Sequence, residues 1–171
     1  MSLPEARPVR SGVAPSVITR SERNPETQLW HAVLALHGPI FSRLNRALNR
    51  EFGITLAKFD VLAQLYRNPD GLTQSELSRH LKVTDGNTTG LVRRLEADGL
   101  IARETSEADR RAFIVRLTAE GRRIYLAARS HHDALLESLL PPVGTARLAT
   151  LRDDLMELAR GLAAPPGQEQ P

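Results

Sequence analysis

The chain has 171 residues, 41% of them hydrophobic, and no cysteine, which excludes disulfide staples, thiolate metal sites and thiol-based redox switches. Lys and Arg outnumber Asp and Glu by 23 to 20, a net charge of +3, so bulk charge alone names no partner. No apolar stretch approaches the roughly 18 residues needed to cross a bilayer, and "MSLPEARPVRSG" lacks the apolar core of a secretory signal, so a soluble, cytoplasmic protein with no membrane partner is expected.

Residues 1–25, rich in Pro, Ser and Arg without apolar period, read as a flexible arm. From Glu26 to Phe52 the apolar residues Leu29, Val33, Leu36, Ile40, Leu44 and Leu48 recur at a helical period. Gly38-Pro39 interrupts it and predicts a kink or two abutting helices. Thr55 is placed to cap a second helix, "LAKFDVLAQLYR", which ends before the turn signal "NPDG". Thr73-Gln74-Ser75-Glu76 forms a capping box that opens the short helix "QSELSRHL", with Leu77 and Leu81 on one face. Thr84 caps the next helix, "DGNTTGLVRRLEADG", and Gly99 ends it.

"LIARE" and "AFIVRL" then read as two short strands joined by a polar loop whose middle is Asp109-Arg110-Arg111. Thr118 opens a long helix that Pro141-Pro142 terminates. A last helix carries Leu148, Leu151, Leu155 and Leu158 as one apolar stripe, and residues 163–171 read as a disordered tail. Two short helices with a tight turn, followed by a hairpin, make a winged helix. The expected fold is mostly α with a small β-hairpin wing. Its winged helix-turn-helix core spans residues 55–117, and helices over 26–54 and 118–162 flank it.

Helix geometry sorts the residues before the hairpin. Thr88, Leu91, Val92 and Leu95 share an inward face. The outward face holds Gly86, Gly90, Arg93 and Ala97, flanked by Asn87, Thr89 and Arg94. Two outward glycines in one helix cost roughly 0.8–1 kcal/mol each relative to alanine, and close approach of another macromolecule to the backbone would account for them. Asn87 has the groups to bond adenine in two places, and either arginine can reach guanine or phosphate. The expected DNA-reading surface of this helix is therefore Thr84, Asp85, Gly86, Asn87, Thr89, Gly90, Arg93 and Arg94. At the wing tip, an arginine can enter the electronegative minor groove. A carboxylate beside it would be repelled by phosphate, and serves better to orient the guanidinium. Asp109 is thus read as a brace, Arg110 as a phosphate contact and Arg111 as the inserted residue.

The segment "GLTQSELSRHLKVTDGNTTGLVRRLEADGLIARETSEADRRAFIVRLTAEG" resembles the winged-helix core of the MarR (multiple antibiotic resistance regulator) family, and the likeness extends over roughly residues 29–160. The "DRR" wing and the "LTAEG" that follows are its most specific marks. The resemblance implies a homodimer, with the flanking helices as dimerisation elements. It also implies a double-stranded, pseudo-palindromic DNA operator, repression of nearby genes, no cofactor and no catalytic residues. A small-molecule effector, an aromatic acid or its coenzyme A thioester, is implied too, with His37, Phe41 and Phe59 as candidate ligand contacts. Lys82 stands where the family often has glycine, and "DGNTTG" replaces its more usual helix opening.

Two other readings compete. A winged helix used only for protein contacts would not need arginines on both the helix and the wing. A metal-dependent enzyme could be sought in "HHDALLE", with His131, His132, Asp133 and Glu137. Neighbouring helical residues, however, point about 100° apart, and no nucleophile elbow or phosphate loop accompanies them.

Overall fold

The computed structural model describes residues 24–81, 85–105 and 113–163, with the backbone alone at 85–87 and 163. The helices are α1 (Pro25–Phe52), α2 (Leu56–Arg67), α3 (Gln74–Leu81), α4 (Asp85–Ala97), α5 (Ala119–Leu139) and α6 (Thr145–Ala163). The strands are β1 (Leu72–Thr73), β2 (Ile101–Thr105) and β3 (Phe113–Leu117). The arm, the Lys82–Thr84 turn with its Thr84 cap, the wing tip and the tail lie outside the described residues. The chain divides into two compact units between Pro39 and Ile40.

The first unit contributes the opening of α1, where the Asn24 side chain accepts the Glu26 amide at 2.8 Å. Pro39 lies inside α1, which remains helical through it. The interruption expected at Gly38-Pro39 is thus a unit boundary but not a break in the helix.

The second unit is built around one apolar cluster. Leu48, Val61, Leu62, Leu65, Leu77 and Leu95 are each at most 1% exposed, and Ile54, Val115 and Tyr125 close the cluster. Burial of such side chains supplies roughly 1.5–3 kcal/mol apiece and dominates the stability of a small core. Local side chains satisfy the helix starts. The Thr55 hydroxyl accepts the Lys58 amide at 3.3 Å. The Thr73 amide donates to the Glu76 carboxylate at 2.8 Å, while the Glu76 amide donates to the Thr73 hydroxyl at 3.3 Å. The capping box is therefore formed on both sides.

The sheet has three antiparallel strands in the order β1-β3-β2, one more than a simple hairpin. Leu72 pairs with Val115, and Ile101 through Thr105 pair with Leu117 back to Phe113. β1 is two residues long, and it is a strand only because β3 supplies its partner. No pattern in residues 72–73 announces it.

The turn after α4 meets the start of α5 almost backbone to backbone. Gly99 has φ +71°, the left-handed turn that stops α4. The Thr118 hydroxyl donates to the Gly99 carbonyl at 2.8 Å and accepts the Gly121 amide at 3.0 Å. A Cβ on Gly121 would fall far inside contact distance of the Leu100 carbonyl oxygen, so only glycine lets the start of α5 approach the turn after α4 so closely.

Candidate nucleic-acid interface

The inward face of α4 is as the helical period predicts. Thr88 and Leu95 are fully buried, Val92 is 1% exposed and Leu91 7%. Arg93, Arg94 and Ala97 are consequently exposed, with Thr89 and Gly90 half-buried. The side chains of Asp85, Gly86 and Asn87 lie outside the described residues, as do Asp109, Arg110 and Arg111. Between Thr89 and Arg94 the helix therefore offers two cations, a hydroxyl and a glycine on one outward surface.

Gly90 has a second meaning in this setting. A Cβ there would lie 3.7 Å from the nearer Arg94 terminal nitrogen, an ordinary contact. Alanine would fit the free protein, so no clash among the described residues requires glycine at this position.

Four contacts that the sequence did not reveal hold this surface in place. The Gln74 side-chain amide donates to the Thr89 hydroxyl at 2.5 Å and ties α3 to α4. Lys58 on α2 reaches Asp98, beyond the end of α4, at 2.5 Å. Arg103 on β2 lies 3.8 Å from Glu96 of α4 and covers the Phe113 ring at 4.5 Å from its centroid. All join residues of different elements, and only Gln74, a polar residue directly after a cap, gave any local hint. At the base of the wing, Arg116 pairs with Glu104 across the strands and donates to the Asp70 carbonyl at 3.0 Å.

A cavity of about 500 Å³ opens between α2, α3 and α5. Its walls are aromatic: Phe59 stacks on His132 at 4.8 Å between centroids, and Tyr66 and Tyr125 lie 4.8 Å apart. Charged Asp60, Arg67, Arg129 and Asp133 line it as well. Partial burial raises the Asp60 carboxyl above its ordinary pKa, and the charges of His132 and Arg67 oppose that rise. Of the three residues expected to meet a ligand, Phe59 lines this cavity. Phe41 is exposed on α1, and His37 belongs to the first unit; neither is among its lining residues.

The histidines of "HHDALLE" diverge as helix geometry requires. His131 meets the edge of Phe52 at 5.7 Å, whereas His132 stacks on Phe59 and lies 3.0 Å from Asp133. Among the described residues no three His, Asp or Glu side chains converge as a metal site would need.

A tri-helical core with a short helix, an exposed second helix and an antiparallel wing defines a winged helix-turn-helix protein. Residues 52–112 match the sequence model of the MarR family. The crystal structure of a MarR family transcriptional regulator from Silicibacter pomeroyi is 40% identical; the match covers 80% of this chain and 94% of that one, with a TM-score of 0.69. The chain belongs to the MarR family. The fold is shared with Sco3205 of Streptomyces coelicolor, a MarR family regulator solved in complex with DNA, at 24% identity and a TM-score of 0.75 over 85% of this chain and 92% of that one. The transcriptional activatory protein BadR of Rhodopseudomonas palustris is 38% identical over 82 residues, 47% of this chain and 46% of that protein. The chain thus spans less than half the length of that curated relative. Among the described residues, no helix is long and apolar enough to cross a membrane.

Proposed function

We propose that this chain is a ligand-responsive, cytoplasmic transcriptional repressor that binds a pseudo-palindromic operator as a homodimer. The observation that carries the reading is the outward face of α4: two exposed arginines beside a glycine that no described neighbour requires. In this reading α4 enters the major groove, where Asn87, Arg93 and Arg94 meet base edges and phosphates. Thr84, Asp85, Gly86, Thr89 and Gly90 form the surface of closest approach. Arg111 enters the adjacent minor groove, directed by Asp109, and Arg110 meets phosphate. That a protein of the same fold has been solved in complex with DNA supports DNA as the partner. Exposed Leu151, Leu155 and Leu158 on α6 support dimerisation, since such a stripe is unfavourable in water.

The aromatic-walled cavity between α2 and α5 supports a small effector, an aromatic acid or its coenzyme A thioester, contacting Phe59. An effector shifts the dimer away from its DNA-competent state only by as much as it prefers the other state.

The experiment is binding of the purified protein to DNA upstream of its own gene, titrated against salt. Specific binding that weakens steeply with salt is expected, because each neutralised phosphate releases counterion. Arg111→Ala should weaken it by about 1–3 kcal/mol per wing with dimer and fold unchanged. Affinity no greater than for random DNA, for this region and for operators selected from a random pool, would overturn the reading.

A further inference from the structure

The base of the wing carries an arginine that stability alone does not explain. Arg103 pairs with Val115 across β2 and β3, which puts Phe113 on the same face of the sheet as its diagonal neighbour. The Arg103 guanidinium covers that ring, 4.5 Å from its centroid. Its Nη1 lies 3.8 Å from the Glu96 carboxylate on α4. Its Nε is buried, and among the described residues it has no hydrogen-bond partner.

Burying a cationic N–H without a partner is unfavourable, and an aliphatic side chain would serve the strand at least as well. What arginine adds is reach in two directions. Its flat face covers an aromatic ring while its fork extends to a carboxylate on another element. Lysine would keep the charge and lose the flat face. The two elements so joined are the recognition helix, through Glu96, and the wing, through Phe113.

We propose that Arg103 is a positioning residue for DNA recognition: by bridging Glu96 on α4 and Phe113 on β3 it sets the direction of the wing relative to the recognition helix. The proposal rests on the reading of Arg111 as the wing's minor-groove contact. Without the bridge the hairpin still forms, since its ladder does not depend on this side chain, but the direction of its strands relative to α4 is no longer fixed.

The test is a double-mutant cycle on operator binding, with Arg103→Met and Arg111→Ala made singly and together in the full-length protein. In the wild-type background Arg111→Ala should weaken binding about tenfold or more. In the Arg103→Met background the same change should cost no more than about twofold, the scatter of independent sites. Preference for A·T over G·C beneath the wing should flatten in Arg103→Met, whereas preferences beneath α4 persist, and Arg103→Lys should restore only part of the effect. A purely structural role would lower the melting temperature and weaken operator and random DNA alike, leaving the cycle additive.

An equal effect of Arg111→Ala in both backgrounds would overturn the positioning role and leave the wing contact standing. No effect of Arg111→Ala in the wild-type background would overturn both. Should Arg103→Met fail to fold, Phe113→Leu removes the ring and keeps an apolar strand residue, and the same cycle with that variant separates the same two outcomes.

Discussion

Glu76 links a helix start to pH. Its carboxylate accepts the Thr73 amide at 2.8 Å and the Thr73 hydroxyl at 2.7 Å, and these bonds hold its pKa below the ordinary carboxylate value. A depressed carboxylate contributes stability above its unfolded pKa and loses it as pH falls through the folded value. Glu76→Gln should therefore lower stability at neutral pH by about 1 kcal/mol. The gap between the two melting curves should narrow only once pH falls below the ordinary carboxylate range, through the depressed folded value; a gap that stays constant with pH would mean that charge plays no part in this cap. Gly121 makes a sharper case. A Cβ there collides with the Leu100 carbonyl oxygen, so Gly121→Ala must displace backbone, and overpacking of this kind costs typically about 1–3 kcal/mol. Chemical denaturation of the variant checks it. An unchanged midpoint would mean that the two helix ends can part freely.

At the scale of elements, α4 separates stability from binding. Gly90→Ala introduces no clash among the described residues and improves helix propensity, so the free protein should gain about 0.5–1 kcal/mol. Operator affinity should fall if the helix backbone approaches DNA at that point. A variant more stable yet equally tight in binding would show that α4 keeps its distance there. Much of this element was legible from its residues. The spacing of Thr88, Leu91, Val92 and Leu95 defines one buried face, and everything outward follows from it. The caps at Thr55, Thr73 and Thr118 were legible for a similar reason: a hydroxyl and the amide it accepts are only three residues apart. What escaped was long-range. β1 exists through Val115 and Ile114, Gln74 finds its partner fifteen residues on, and Arg103 joins a strand to a helix. No local period encodes a partner that arrives only when the chain has folded. The cavity escaped likewise, because Phe59 and His132 meet only once α2 and α5 are side by side.

For the molecule as a whole, the apolar surface of α6 sets the terms. Leu151 and Leu155 remain 47% and 45% exposed in the single chain, and covering what is left of each is worth roughly 1 kcal/mol. The double variant Leu151→Glu/Leu155→Glu should therefore sediment as a monomer while its circular dichroism stays helical, and its operator affinity should collapse because two half-sites are no longer read together. A dimer of unchanged mass would move the association surface elsewhere. Charge belongs to the same scale: with a net excess of only three positive charges, the salt dependence of binding must come from where the arginines stand and not from how many there are.

The abutment of Gly121 on Leu100 also has a mechanical side. Most helix contacts slide, because side chains between them can change rotamer and absorb a displacement. Here there is nothing between the two elements to absorb one: the Thr118 hydroxyl stitches Gly99 to Gly121, and the Leu100 carbonyl sits against bare backbone. The end of α4 and the beginning of α5 therefore work as a fixed joint. A displacement of the start of α5 passes to the Gly99–Leu100 turn that ends α4 with no side-chain rearrangement to absorb it.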